Sequence, residues 1–502
     1  MTDRAVVPVW RTTRAGRGRT AALQATLQAT LMVTVAGGAG CNKPEAFDPI
    51  EIDRHRMLAG VAPGFLLGAA TSAHQIEGGN DNDWTDWERG RYPDGAPHVA
   101  GGASAARAAD SWNLWRKDVA ALEDLGANVY RLGIEWSRLE PTEGAWDQAA
   151  AARYRAMLQA LRAAPGHPIA PMLNLYHFTL PRWLAARGGW EAAGAPEAFA
   201  AFAARAADAF GDLVDLWCTL NEPNVYVSKG YLAGQWPPGV RDPARAARVL
   251  ARLLEAHGLA AAALRARDRT DADGDGAAAR IGLAHNVRVF DAASAHPFDG
   301  YVAKVADRFY NLAILDAVAT GHIHIALPTA ATVDRPAPSL RGSLDWLGIN
   351  YYTRDIVSAR VIRALRGAGP PYETVIDAAR PRTDMGWEIY PEGLYRLLVR
   401  LAPYGWPLVV AESGLADRAG TVRPGYIRSH VYALDRARAT GVNVIGYMHW
   451  SLIDNFEWSH GYDGRFGLYT IDFAGDPALE RRPTAAVATF QELARAVGLL
   501  PR

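Results

Sequence analysis

Glu222 and Glu412 each close a short apolar run, Val214 to Glu222 and Pro407 to Glu412. The residues that close similar runs elsewhere are unusually polar or aromatic: Gln75, His177, Asn221, Asn350 with Tyr352, and Trp450 followed by Glu457 and Trp458. Alone, any of them is an ordinary loop or cap residue. Together they surround two carboxyl groups with amide, imidazole, phenol and indole groups, and no set of metal-ligating residues stands beside them. That combination suits the cleavage of a glycosidic bond, in which one carboxyl moves a proton and the other attacks the sugar or activates water.

Such residues work only if a scaffold brings them to one mouth. From residue 60 onward, strand-length apolar stretches alternate with Ala- and Arg-rich stretches of helical period, the pattern of a parallel sheet with crossover helices. Eight strands are predicted: Phe65 to Gln75, Asn128 to Trp136, Pro168 to Phe178, Val214 to Glu222, Ile281 to Val287, Leu344 to Tyr352, Pro407 to Glu412 and Val442 to Trp450. Amphipathic runs such as Ala149 to Ala164, Pro196 to Phe210, Pro243 to Arg267 and Tyr426 to Thr440 lie between them. Eight such units predict a single α/β domain of the TIM type, a (β/α)8 barrel, whose chemistry sits at the C-terminal ends of the strands. A doubly wound open sheet would need a Gly-rich phosphate turn after its first strand, and Gly68-Ala69-Ala70-Thr71 leads instead to Gln75 and Glu77.

Composition narrows the partners. The 53 Lys and Arg balance 53 Asp and Glu, so charge favours neither nucleic acid nor a membrane surface, and a small neutral partner is expected. Sixteen Trp and 19 Tyr offer flat faces for sugar rings, although aromatic residues are also ordinary core material. Cys41 and Cys218 make no disulfide framework; Cys218, inside the fourth strand, reads as a small buried hydrophobe. No oligomeric state follows from these features.

Five further motifs carry a resemblance to glycoside hydrolase family 1 from about Pro63 to Thr484. They are Gly68 through Gly78 (GAATSAHQIEG), Tyr130 through Arg138 (YRLGIEWSR), Thr219 through Pro223 (TLNEP), Gly348 through Thr353 (GINYYT) and Trp450 through Trp458 (WSLIDNFEW), the last continuing through Gly461-Tyr462 to Arg465-Phe466-Gly467. The resemblance implies a retaining β-glycosidase without a cofactor or metal, acting on terminal β-D-glucosyl, galactosyl or fucosyl residues of small glycosides or oligosaccharides. It implies that Glu412 attacks the anomeric carbon while Glu222 protonates the departing oxygen and then serves as base, with the two carboxyls about 5 to 5.5 Å apart. Arg131, expected at the end of strand two, and Tyr352 would support the nucleophile. Asn221 would hold the sugar 2-hydroxyl. Gln75, His177, Asn350, Glu457 and Trp458 would complete the sugar contacts, over a platform made by Trp450.

The chain departs from the family pattern at three places. Ser413 follows Glu412 where the family has Asn, so an amide beside the nucleophile becomes a shorter hydroxyl. Phe178 follows His177 where Trp is common, and His74 precedes Gln75 where Tyr is common. Two other features are set aside on sequence grounds. Asp271-Ala272-Asp273-Gly274-Asp275-Gly276 begins like a calcium loop, but Gly282 occupies the twelfth position in place of a bidentate Glu, and a solvated polar loop is expected. His322 and His324 alternate without a third ligand and are expected to be surface or packing residues.

Two alternatives use the same residues. A transglycosylase would pass the covalent intermediate to an alcohol, and a catalytically silent sugar-binding lipoprotein would keep the pocket alone, although a binder has no need of two carboxyls at the anomeric centre.

Residues 1–45 differ in character from the barrel, 46–502. Arg4, Arg11, Arg14, Arg17 and Arg19 precede a moderately apolar stretch, Ala21 to Val35, and Gly38-Ala39-Gly40 precedes Cys41. This order resembles a bacterial lipoprotein signal with Cys41 as the lipidated residue, although Gly38 stands where a larger aliphatic residue is usual; the alternative is an Arg/Ala-rich extension on a cytoplasmic enzyme. If Cys41 carries acyl chains, fractionated cells will hold the protein in membranes that detergent but not high salt releases, and Cys41→Ser will free it. Recovery of a soluble chain that still begins at Met1 refutes export.

Overall fold

The computed structural model describes residues 47–62, 64–327, 332–360 and 372–501, so the leader and Cys41 lie outside the described residues. Eight parallel strands close on themselves: β1 Leu66–Ala70, β2 Val129–Gly133, β3 Ala170–Asn174, β4 Leu216–Asn221, β5 Arg280–Ala292, β6 Trp346–Ala359, β7 Leu408–Ser413 and β8 Val444–Trp450. Each pairs with its chain neighbour, and β8 pairs with β1 to complete the barrel. The helices that cover it are α1 Ser111–Leu125, α2 Gln148–Arg162, α3 Ala195–Phe210, α4 Pro243–Arg267, α5 Pro297–Asp307, α6 Pro391–Leu401, α7 Arg423–Ala439 and α8 Ala485–Ala496. The predicted helix from Pro243 to Arg267 is found with those bounds, because Asp242 caps its first turn through the N–H groups of Ala244 and Arg245 and Pro243 fits the first position.

Apolar packing divides into two layers. Val129, Met172, Leu216, Cys218, Ala284, Trp346, Val409, Ala411 and Met448 come from seven strands and from no helix; they fill the barrel interior. A much larger cluster joins the outer strand faces to the helices. Room inside is tight: a Cβ on Gly282 would sit 2.3 Å from the Trp346 ring, so glycine there lets the indole fill the barrel.

Side chains two residues beyond these interior ones share their face, and this rule carries Arg131, Asn286, Asn350 and Trp450 into the barrel mouth. Arg131 is therefore the middle residue of β2, not its end as expected, and its guanidinium lies deeper than a strand-end residue would. Gln75 likewise lies beyond β1, in a one-turn helix, Ala73–Ile76. β5 and β6 run on together past the mouth to Ala292 and Val357. Among the described residues, no helix is long and apolar enough to cross a membrane.

Candidate active site

Both glutamates follow a break in strand regularity. Along β7 the register advances from Val410 opposite Ile349 to Glu412 opposite Asn350, so two residues of β7 span one of β6. This bulge turns Glu412 inward although Ala411 already faces the interior; strict alternation would send Ser413 in and Glu412 out. On β4 the pairing passes from Cys218 opposite Gly282 to Asn221 opposite Ala284, and the same device turns Asn221 inward. Glu222 follows in the left-handed region, φ 46° and ψ 58°, with its N–H bonded to the Ala284 carbonyl. A non-glycine residue held there costs about 1–3 kcal/mol, borne by the surrounding packing.

A connected network forms the pocket floor. The guanidinium of Arg131, fully buried, pairs through Nη1 with Glu412 Oε1 and donates through Nη2 to Asn221 Oδ1 at 2.6 Å. Tyr352 donates its hydroxyl to Glu412 Oε2 at 2.6 Å. Asn350 donates to Glu222 Oε1 at 2.8 Å and to Asn221 Oδ1 at 3.0 Å, and Asn286 donates to Glu222 Oε1 at 2.9 Å. With two donors on its Oδ1, the Asn221 amide must turn its nitrogen toward His177 Nε2, 3.1 Å away. The other ring nitrogen, Nδ1, lies 3.2 Å from the Asn174 amide nitrogen, and burial holds His177 neutral.

The walls are aromatic. The rings of Trp450 and His177 stack at 5.7 Å, and Trp458 stacks on His177 at 6.0 Å and on His74 at 5.7 Å. His74 does not offer a nitrogen to the pocket: Nε2 meets Glu88 at 2.8 Å and Nδ1 faces the Asn82 amide, so the ring serves to back Trp458. Phe178 packs on Trp236 and Trp458, at 5.0 and 5.3 Å, which requires no N–H donor. Gln75 ties the last wall in place. Its amide nitrogen reaches the Phe456 carbonyl at 2.9 Å, Asn455 Oδ1 at 3.0 Å and Glu457 Oε2 at 3.3 Å. Ser413, for its part, points away from the mouth toward the Tyr426 hydroxyl at 3.1 Å.

Charge separates the carboxyls. Burial lifts Glu412 above the ordinary carboxylate value, and the Arg131 cation and the Tyr352 hydroxyl pull it back. Glu222 has no cation in contact. Burial and then the charge of Glu412 push it to about 7, against the amide donors Asn286 and Asn350. Glu457, pressed by burial and by both other glutamates, stands at about 8. A carboxylate stabilised by a cation thus lies next to a carboxyl that keeps its proton near neutrality.

A (β/α)8 barrel with these two groups at its mouth is the scaffold of a glycosidase working by two displacements. The defining pattern of Glycosyl hydrolase family 1 matches residues 59–499. A β-galactosidase of Pyrococcus woesei is 32% identical over 498 residues, covering 86% of this chain and 96% of that protein. A bifunctional β-D-glucosidase/β-D-fucosidase of Bifidobacterium breve is 31% identical over 461 residues, covering 83% and 95%. The solved structure of a family 1 β-glucosidase from Thermotoga maritima superposes with a TM-score of 0.76 at 27% identity, over 89% of this chain and all of that one. The chain belongs to glycosyl hydrolase family 1 and is a retaining β-glycosidase, an O-glycosyl hydrolase.

The candidate catalytic and sugar-contacting residues named from the sequence lie at this mouth or against its walls. Three that matter were not singled out: Asn286, its partner Tyr310, whose hydroxyl donates to Asn286 Oδ1 at 2.7 Å, and Trp236, whose Nε1 donates to Ser459 Oγ at 2.9 Å. The alternation Gly282, Ala284, Asn286 along β5 was the available signal for the first. His322 and His324 share Asp334 at 2.5 and 2.8 Å on the surface.

If Glu222 is the group that protonates a departing alkoxide, kcat/KM on an alkyl β-glycoside should fall as pH rises through about 7. Asn286→Ala removes a donor that favours the charged form, so this limb should move to higher pH. A pH–rate profile in which the limb stays or moves down contradicts the role of that hydrogen bond.

Proposed function

We propose that the enzyme hydrolyses unphosphorylated terminal β-D-glucosides, and β-galactosides and β-fucosides beside them, with Glu412 as nucleophile and Glu222 as acid/base. The supporting observation is the asymmetry of the floor: cation and phenol both contact Glu412, and only amides contact Glu222. An Oε of Glu412 bonds to C1 as the C1–O bond to the aglycone breaks, and the departing oxygen takes the proton of Glu222. Once Glu412 is an ester it carries no charge, the repulsion that raised Glu222 disappears, and Glu222 becomes a carboxylate. Water then gives it a proton and bonds to C1, and the ester electrons return to Glu412. Asn221, oriented by Arg131 and Asn350, presents its amide where the sugar 2-hydroxyl lies during both steps.

The sugar preference rests on Glu457 and on the relatives. Those relatives are named for galactosidase, glucosidase and fucosidase activity, sugars that differ at C4 and C6. Glu457, held by Gln75, is a hydrogen-bonding partner for free hydroxyls at those carbons, and its carboxylate form repels a phosphate.

Nitrophenyl β-glucoside, β-galactoside and β-fucoside should all be hydrolysed, and nitrophenyl β-glucoside 6-phosphate far more slowly than the unphosphorylated glucoside. A preference for the phosphate removes the role given to Glu457. For the catalytic assignment, Glu412→Gly should lower kcat by at least about a thousandfold and recover turnover with azide, giving the α-glycosyl azide. A β-azide from this variant, or rescue confined to Glu222 variants, reverses the two roles.

A further inference from the structure

On the face of the barrel opposite the catalytic mouth, the loop between α4 and β5 folds around three acidic side chains. The carboxylates of Asp215, Asp271 and Asp273 each place an oxygen within 4.8 Å of the others. Asp271 and Asp273 are exposed, whereas Asp215 is only 3% exposed and belongs to the segment leading into β4. Its Oδ1 accepts from the Ala272 N–H, between the two loop aspartates, at 2.9 Å. Its Oδ2 is buried and has no hydrogen-bond partner among the described residues. A carboxylate oxygen withdrawn from water without a partner is costly, and here it stands beside two more negative groups.

The neighbouring cations form no ion pair with Asp215 among the described residues. Arg280 pairs with Asp275 at 2.5 Å, and Arg162 is engaged with the Ala272 carbonyl. Asp271, meanwhile, is oriented by the loop backbone: Gly274 and Asp275 N–H groups donate to Oδ1 and Gly276 N–H to Oδ2.

We propose that Asp215, Asp271 and Asp273 bind a calcium ion that fastens the α4–β5 loop to the base of β4. The donors are all oxygen, which selects a hard cation over zinc or copper. Oxygens bonded to one calcium at about 2.4 Å lie no more than about 4.8 Å apart, and each of the three carboxylates has an oxygen within that reach of the others. The sequence lacks the twelfth-position glutamate because Gly282 occupies it; Asp215 supplies the distant carboxylate from another strand. Loop carbonyls and water complete the six to eight oxygens that calcium takes. Since the site lies at the N-terminal ends of β4 and β5, the ion acts on stability and leaves the chemistry at the mouth untouched.

Calorimetric titration of the chelator-treated full-length enzyme with CaCl2, beside MgCl2, tests this. Calcium should bind with measurable heat, and at about 10 mM it should raise the apparent Tm at fixed scan rate by about 2 °C or more. Asp215→Asn and the exposed Asp273→Asn should each abolish both responses, and kcat at room temperature should be the same with and without calcium. Absence of heat and of a Tm shift in the parent enzyme, or equal responses in Asp273→Asn, overturns the site. Magnesium binding as tightly as calcium overturns the assignment of the ion.

Discussion

A guanidinium sealed inside the barrel is the constraint on which the active site depends. Arg131 is fully buried and cannot give up its charge, so a carboxylate must remain beside it. Removing one member of such a buried pair costs about 3–5 kcal/mol, because the other is left without compensation. The cation that fixes Glu412 also orients Asn221 through its second nitrogen, and Asn350 joins Asn221 to Glu222. One charge thereby sets the position of three side chains and the protonation of two. Of the three glutamates at the mouth, only Glu412 touches a cation among the described residues, and the other two, Glu222 and Glu457, are pushed toward the protonated form.

The barrel gives its two ends different work. At the C-terminal ends, bulges in β4 and β7 break the alternation that packs the interior and turn Asn221 and Glu412 into the pocket. The ladder bonds given up there are replaced by side-chain bonds and by the Glu222 N–H to the Ala284 carbonyl. At the N-terminal ends, the α4–β5 loop gathers the carboxylates of Asp215, Asp271 and Asp273. Function and stability are separated by the length of the strands.

The three departures from the family pattern fall where the structure absorbs them. His74 is held by Glu88 and Asn82 and presents a ring face to Trp458; stacking needs a flat side chain and not a particular polar atom. Phe178 fills the space between Trp236 and Trp458. Ser413 lies on the outer side of the β7 bulge, bonded to Tyr426, so Glu412 is positioned from the opposite side by Arg131 and Tyr352.

Much of this was legible in the amino-acid sequence. Alternating strand and helix periods determined the barrel, the capping pair Asp242-Pro243 determined where α4 starts, and local motifs determined which glutamates, amides and aromatic residues gather at the mouth. Those properties are local, or repeat with a fixed period, and need no knowledge of neighbours. Other properties exist only between distant segments. Arg131 sits mid-strand because the barrel interior admits one deep cation beneath two carboxyls. Glu412 faces inward because its register against β6 slips by one residue, which alternation within β7 alone would predict wrongly. Tyr310, from the helical turn at residues 308–312, joins the site through its hydrogen bond to Asn286 of β5. Asp215 meets Asp271 and Asp273 only because β4 and β5 are neighbours, so a loop that looked incomplete in sequence gains its missing carboxylate across the sheet: proximity in a barrel is decided by strand order and register, which no single segment encodes.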